Sequence, residues 1–214
     1  MKIMLNILTH GEELIGLIVA NDLKKLNISK DILTINIANK KAYKLRKRFV
    51  EADLNRSFPG KKNGNYEEKL AYKLNNMIKK YDIVFDIHST TSSLKDAVIV
   101  TKFDEETKKI LGVISPKYLL FMNIFKDNAL LTNAKIGIGF EYGNDNNEEV
   151  LNKIVLDIKK VLAHLNIINK FDYKKRKTKY FKIDNSTIKP SGYVLLPNIK
   201  NYELIKKGSI YAEN

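Results

Sequence analysis

The stretch that decides the fold is Ile83-Val84-Phe85-Asp86-Ile87-His88-Ser89-Thr90-Thr91. An apolar run of this length, preceded by a charged segment, predicts a buried β-strand. His88 stands where the strand ends and the chain turns polar. In α/β proteins the site is built at this end of a central strand, so His88 is the first candidate site residue.

Further strands and helices are predicted on both sides of this strand by the spacing of apolar residues. The predicted strands cover residues 2–8, 31–38, 96–101, 118–123 and 135–142, and the predicted helices cover residues 13–26, 66–81, 105–113 and 146–168. Strands that alternate with helices predict an α/β fold with a mixed, mostly parallel central sheet and helices on both faces. Residues 39–65 break the pattern, and loops of that length in compact domains are usually functional or disordered.

The composition of the chain changes near residue 172. Residues 173–179 form the basic run Tyr-Lys-Lys-Arg-Lys-Thr-Lys, and residues 180–214 have an all-β pattern. We therefore expect one domain over residues 1–172 and a small C-terminal β segment over residues 173–214. A segment of about forty residues is too short for an independent β core. We expect it to pack on the main domain, to pair with another chain or to be part of something longer.

Cysteine is absent from the sequence, which excludes disulfides, thiolate ligands and a cysteine nucleophile. Any zinc site must therefore use histidine nitrogens and carboxylate oxygens, and the chain has only three histidines. No apolar run approaches the roughly 18 residues of a membrane span. The N-terminal residues form the start of a strand pattern and contain no small-residue cleavage signal. We therefore expect a cytoplasmic protein that does not bind a membrane.

The formal net charge of +14 has two interpretations. One is a polyanionic partner such as RNA or DNA. The other is a lysine-rich composition that spreads positive charge over every solvated face. The basic residues are rarely interleaved with aromatic residues, as a base-stacking surface requires. The sequence therefore favours the second interpretation, and nucleic acid is not the expected partner.

A second histidine, His10, follows the predicted strand 2–8 and is followed by Gly-Glu-Glu. The spacing of His10 and Glu13 lets both side chains project to one side if a helix begins here; the alternative is a helix cap with solvated carboxylates. His10 and His88 both end strands expected to lie side by side. Two histidines, one glutamate and a water form the open site of a hydrolytic zinc. We predict that His10, Glu13 and His88 bind one Zn²⁺ per chain.

Other residues are candidates for roles around such a metal. Asp86 shares a strand face with His88 and is either a hydrogen-bond acceptor that orients it or a buried carboxylate satisfied by backbone N–H groups. Glu141 ends the strand 135–142 and is either a general base and acid or a strand-end glutamate that reaches water. Arg48 and Arg56, on the long loop, suit an oxyanion and a carboxylate or lie on a solvated face. His164, inside a predicted helix, is interpreted as structural or surface.

Four short motifs, taken together, resemble a known family. His10-Gly11-Glu12-Glu13, Asp53-Leu54-Asn55-Arg56, Asp86-Ile87-His88 and Glu141-Tyr142-Gly143 stand in the order and approximate spacing of the succinylglutamate desuccinylase and aspartoacylase family. That family belongs to the zinc carboxypeptidase-like superfamily. The resemblance is anchored over about residues 5–143 and extends more loosely to the end of the chain. It implies a zinc-dependent hydrolase that cleaves the amide bond between an acyl group and an amino acid.

The resemblance also implies roles for individual residues. It implies metal ligation for His10, Glu13 and His88, catalysis for Glu141 and Arg48, substrate binding for Asn55 and Arg56, and a loop-fixing role for Asp53.

The sequence departs from the family pattern at several points. The family usually has Asn where this chain has Glu12, and Asn-Pro-Arg where it has Asn39-Lys40-Lys41. No residue between the His88 motif and Glu141 matches one that recognises the acyl group in relatives. The C-terminal part is short compared with relatives. We therefore expect that part of a substrate-closing lid is absent or is supplied by another subunit of a homo-oligomer. Two alternatives stay open: a zinc metallocarboxypeptidase that acts on peptides, and a non-catalytic basic protein that binds nucleic acid.

Overall fold

The computed structural model describes residues 1–90, 96–122, 124, 127–143 and 147–184, and the strands at 194–195 and 212–213. Its strands are β1 (Ile3–Ile7), β2 (Leu33–Ile37), β3 (Ile83–His88), β4 (Ala97–Val100), β5 (Tyr118–Met122), β6 (Ile136–Glu141), β7 (Lys179–Ile183), β8 (Val194–Leu195) and β9 (Ala212–Glu213). Its helices are α1 (Ile15–Lys24), α2 (Lys40–Lys44), α3 (Tyr66–Ile78), α4 (Glu105–Ile114), α5 (Leu130–Asn133) and α6 (Glu148–His164), with a 3-10 turn at Leu54–Arg56.

Seven strands form one mixed sheet in the order β2-β1-β3-β6-β4-β5-β7. Strands β2, β1, β3 and β6 are parallel to one another, and β4, β5 and β7 form a second parallel set. The two sets meet where β4 pairs antiparallel with β6. The predicted α/β fold with a mixed, mostly parallel sheet is therefore confirmed.

The two faces of the sheet have different chemistry because successive side chains of a strand point to opposite sides. One face carries Ile83, Phe85 and Ile87 of β3, and joins the large apolar core with residues of α1, α4 and α6. The other face carries Val84 and is covered by α3 and α5 in a smaller apolar cluster. Asp86 and His88 lie on this second face, so the polar residues of β3 are all on one side.

Local signals explain where the helices of the second face begin. Asn65 caps α3 in a reciprocal capping box with Glu68, which pairs two otherwise unsatisfied N–H groups. Helix α2 packs directly on the turn that follows β1, and a Cβ at Gly11 would lie 2.2 Å from the Tyr43 nitrogen. This contact requires glycine at position 11 and brings the long loop close to the end of β1.

The structure differs from the sequence predictions in three places. The loop predicted over 39–65 contains α2 and a 3-10 turn, and α5 was not predicted, because elements of three to five residues carry too little periodicity. The strand β7, predicted as part of the C-terminal segment, pairs with β5 in the main sheet. Residues 1–183 and residues 184–214 form two compact units.

The second unit, residues 184–214, contains the antiparallel pair β8 and β9. That this segment packs on the main domain stays a prediction. Among the described residues, no helix is long and apolar enough to cross a membrane.

Candidate metal centre and active site

Three adjacent strands of the sheet bring the predicted site residues to one edge. His10 follows β1, His88 ends β3, and β1 and β3 are parallel neighbours. Glu141 ends β6 and lies directly opposite His88 in the register of β3 with β6. Because parallel strands end at the same edge, residues from three distant parts of the chain meet here.

His10, Glu13 and His88 form a buried cluster on this edge. The Glu13 carboxylate lies between the two rings, with Oε1 2.7 Å from His10 Nδ1 and Oε2 2.9 Å from His88 Nδ1. One ligand atom from each of the three residues lies within 4.8 Å of the others. The structure therefore brings together the three residues that the sequence predicted as metal ligands.

The second nitrogen of each ring is held by a different carboxylate. His10 Nε2 lies 3.2 Å from Asp53 Oδ1, and His88 Nε2 lies 2.8 Å from Asp86 Oδ2. Metal-binding histidines almost always donate their other ring N–H to such a partner, which fixes ring orientation and tautomer. Two imidazole nitrogens and one carboxylate, with these outer carboxylates, fit a zinc ion.

Asp86 is itself held by side chains and not by backbone groups. Its Oδ1 accepts hydrogen bonds from Asn6 Nδ2 at 2.8 Å and from Thr9 Oγ1 at 2.9 Å, and Oδ2 faces His88. Asn36 Nδ2 in turn donates to Asn6 Oδ1 at 2.7 Å. Of the two interpretations of Asp86, the contacts support the one in which it orients His88. Asn6 and Thr9 were missed, although two polar residues in and just after the apolar strand β1 were a visible signal.

The carboxylates around the two histidines favour positive charge at this site. Burial alone would lower the pKa of His88, but Asp86 and Glu13 raise it well above its ordinary value. Burial likewise would lower the pKa of His10, but the hydrogen bonds that its ring donates to Asp53 and Glu13 raise it above the ordinary value. Although burial would raise the pKa of Glu13, His88 and His10 lower it to about 2. The cluster is thus built to hold cationic charge, either as protons or as a metal ion.

Glu141 faces the same cavity with the opposite electrostatic character. Burial is the main reason that the pKa of Glu141 is raised to about 7. The charge of His88 lowers this pKa, and the negative charges of Glu13 and Asp86 raise it further. A group with a pKa near the working pH is suited to accept and return a proton.

Arg48 and Asp53 link the long loop to the cluster. Arg48 Nη1 lies 3.5 Å from Glu13 Oε1, and Arg48 Nη2 lies 3.3 Å from Asp53 Oδ2. Asn55 Oδ1 accepts a hydrogen bond from the Leu130 N–H at 3.1 Å, which ties the loop to α5. Arg48, Asn55 and Arg56 all line a cavity of about 210 Å³ together with His10, His88 and Glu141. The structure therefore places every predicted site residue at or beside one cavity.

Glu67, on α3, organises this loop and was missed by the sequence analysis. Its buried carboxylate accepts hydrogen bonds from the N–H groups of Val50, Glu51 and Ala52 at 2.7, 3.0 and 3.1 Å. Asn39 Nδ2 donates a fourth at 3.0 Å. Asn39 thus acts as a loop anchor although Lys40 and Lys41 depart from the family pattern. The only sequence signal was an acidic residue in the first turn of α3, which is equally typical of a solvated helix end.

The comparisons with known proteins agree with this geometry. Residues 3–156 match the model of the succinylglutamate desuccinylase/aspartoacylase catalytic domain family. The chain belongs to this family. It is 30% identical over 122 residues to a probable aspartoacylase of Trichodesmium erythraeum, a match that covers 50% of this chain and 41% of the relative. It is 28% identical over 109 residues to the aspartoacylase of Danio rerio, covering 43% of this chain and 35% of the relative. The matched part thus spans less than half the length of these relatives.

Solved structures of the family share the fold. A succinylglutamate desuccinylase from Silicibacter has a TM-score of 0.76 at 17% identity and covers 99% of this chain and 71% of its own. The succinylglutamate desuccinylase of Vibrio parahaemolyticus has a TM-score of 0.74 at 14% identity, covering 100% of this chain and 72% of its own. Murine aminoacylase 3 has a TM-score of 0.66 at 18% identity, and the match covers 78% of this chain and 65% of the aminoacylase chain.

Proposed function

We propose that the chain is a zinc-dependent amidohydrolase that cleaves the amide bond of a small, anionic N-acyl amino acid. The observation that carries this proposal is the Glu13 carboxylate between two histidine Nδ1 atoms, with Glu141 in the same cavity. Family membership supports the same reaction class. Zinc, in place of another divalent metal, is preferred because of the nitrogen and oxygen ligand set.

Each site residue has a defined task in this proposal. His10, Glu13 and His88 would hold the zinc ion, which supplies a Lewis acid that polarises the scissile carbonyl and lowers the pKa of water. Glu141 accepts a proton from the attacking water and returns it to the leaving nitrogen, a transfer suited to its pKa of about 7. Arg48 donates N–H groups to the negative charge that develops on the carbonyl oxygen.

The substrate carboxylate is assigned to the loop side of the cavity. Asn55 and Arg56 are consecutive and both line the cavity, and a guanidinium can bind a carboxylate through two parallel hydrogen bonds. The net charge of +14 also favours an anionic substrate. The cavity volume of about 210 Å³ is small, which favours a single N-acyl amino acid over a peptide.

The test compares Glu141→Gln with Glu12→Gln, a control at an exposed glutamate of the same region. Both variants should bind zinc in a one-to-one ratio. Release of free amine from N-acetyl and N-succinyl amino acids should fall about 10²- to 10⁴-fold in Glu141→Gln alone. Full turnover by Glu141→Gln would remove Glu141 from its role, and a purified chain that holds no divalent metal would refute the zinc proposal.

Two alternatives remain to be separated by assay. A metallocarboxypeptidase would use the same zinc and the same carboxylate-binding residues, so peptides are assayed beside N-acyl amino acids. Binding of RNA or DNA with a steep dependence on salt would support the nucleic-acid alternative. The cytoplasmic location and a homo-oligomer both stay predictions.

A further inference from the structure

The cavity beside the metal centre has a second end with different chemistry. Its first end carries the histidines, Glu141 and the loop residues described above. Its second end is formed by residues in or directly beside β4, β5, β6 and α5: Ile99, Thr101, Met122, Ala129, Leu131 and Gly139. We refer to these six residues as the distal wall.

The antiparallel strand β4 explains how the distal wall lies next to the catalytic edge. Ile99 of β4 is the register partner of Gly139, two residues before Glu141 on β6. Thr101 directly follows the end of β4 and lines the same cavity as Ile99. The cavity therefore runs from Glu141 along the sheet face towards Thr101.

Glycine at position 139 allows Leu131 to pack closely against β6 as part of the wall. A Cβ there would lie 2.9 Å from Leu131 Cδ1 and 3.6 Å from Ile99 Cβ. A side chain at position 139 would therefore displace Leu131 from its place in the wall.

Charge is lacking on the distal wall. Its residues are apolar apart from the hydroxyl of Thr101 and the glycine backbone. Lys102, next to Thr101 in sequence, directs its Nζ to the Ala134 carbonyl oxygen at 2.6 Å. A carboxylate bound here would lose its hydration without gaining a cation from the wall, and its binding is therefore disfavoured.

Thr101 carries the one unexplained polar group of the wall. The residue is 7% exposed, and its Oγ1 is buried with no hydrogen-bond partner in the described part of the chain. A buried hydroxyl without a hydrogen-bond partner is energetically unfavourable. A ligand atom that hydrogen-bonds to Oγ1 would recover this free energy.

We propose that the distal wall binds an uncharged, mainly aliphatic group of the substrate whose single polar atom hydrogen-bonds to Thr101. The inference rests on the proposed function, because the amide must lie at the metal centre for an attached group to reach the wall. Two parts of an N-acyl amino acid have this chemistry: the acyl chain and the amino-acid side chain. In either case, the wall selects against a second carboxylate.

The experiment uses matched compounds in two series on the zinc-loaded chain. In the side-chain series, N-acetylglutamine is compared with N-acetylglutamate, which has the same size and one more charge. In the acyl series, N-succinamoylalanine and N-butyrylalanine are compared with N-succinylalanine. We expect the neutral compound to exceed the acidic one at least tenfold in affinity by calorimetry in one series, and that series identifies the group that the wall binds.

Variants then test the two structural elements of the wall. Thr101→Val, which keeps the shape, should weaken binding of the amide compound about five- to tenfold, and Thr101→Ser should restore it. N-acetylalanine, which is too short to reach the wall, should be unaffected by either variant. Gly139→Ala should weaken the binding of the longer compounds and leave the binding of N-acetylalanine unchanged. An equal loss of affinity for long and short compounds would show that the variants have a general structural effect, and it would overturn the proposal.

The outcomes separate this inference from the proposed function. If no compound releases amine but the neutral members bind more tightly, the hydrolase proposal fails and the inference stands. If amine is released but the acidic members are equal or better in both series, the hydrolase proposal stands and the inference is overturned. If no compound binds, both are overturned.

Discussion

The substitution Glu67→Gln tests whether one buried carboxylate holds the loop that carries Arg48 and Asp53. Each oxygen of Glu67 accepts two hydrogen bonds. Oε1 pairs with the Val50 N–H and Asn39 Nδ2, and Oε2 pairs with the N–H groups of Glu51 and Ala52. Glutamine keeps the shape but presents an NH₂ group to two of these donors, which are then left without an acceptor.

The size of the effect follows from those two donors. Each buried donor left unpaired costs about 1–3 kcal/mol, which gives an upper range of about 2–6 kcal/mol. Residues 50–52 are only partly buried or exposed, so water relieves part of this cost. We therefore expect a loss of about 2–3 kcal/mol in the free energy of unfolding, or about 4–12 °C in Tm for a domain of this size.

The same reasoning predicts a pH dependence of known sign. Burial opposes ionisation of Glu67, but the backbone N–H groups and Asn39 lower its pKa below the ordinary value. The stabilisation is therefore fully present above the unfolded-state pKa of about 4.3. It is lost as the pH falls through the lowered folded-state pKa. The difference between wild type and Glu67→Gln should shrink over that acidic range.

The assay is urea unfolding of both proteins from pH 7 to the most acidic pH at which the wild type folds. Glu106→Gln, at an exposed glutamate of α4, serves as the control and should differ from wild type by less than about 0.5 kcal/mol. A neutral-pH difference below about 1 kcal/mol for Glu67→Gln, or a difference independent of pH, would refute the assigned role of Glu67.

Three further predictions concern the metal centre and the core beside it. Asp86→Asn should weaken zinc binding about 10- to 100-fold because it disturbs the partner of His88 Nε2; competition with a chromophoric chelator measures this, and unchanged affinity would contradict it. Removal of zinc should lower Tm, since a ligand at 1,000 times its Kd stabilises by about 4 kcal/mol; a Tm unaffected by chelator and zinc would contradict a native-state site. Tyr142→Phe removes the 2.5 Å hydrogen bond that the hydroxyl donates to Asp157 Oδ2. It should lower the free energy of unfolding, measured in urea, by about 1–3 kcal/mol, and an unchanged value would show that Asp157 is satisfied without this bond.

The sequence alone was sufficient to predict much of the main sheet and the meeting of His10, His88 and Glu141 at one edge. Apolar periodicity is a local property, so it located β1, β3 and β6 and the long helices. The polar residues His10, His88 and Glu141 interrupt apolar patterns at strand ends, and parallel strands end at one edge. Their meeting could therefore be predicted before any contact was known, and the structure places them together.

Only the tertiary structure decided which distant segments pair. The antiparallel position of β4 beside β6, the addition of β7 to the main sheet and the four hydrogen bonds to Glu67 have no local signature. The wall of the cavity depends on the close approach of Leu131 to Gly139, where a Cβ would lie only 2.9 Å from Leu131 Cδ1. Such features arise from backbone pairing and packing between residues far apart in the chain, and a one-dimensional pattern records neither.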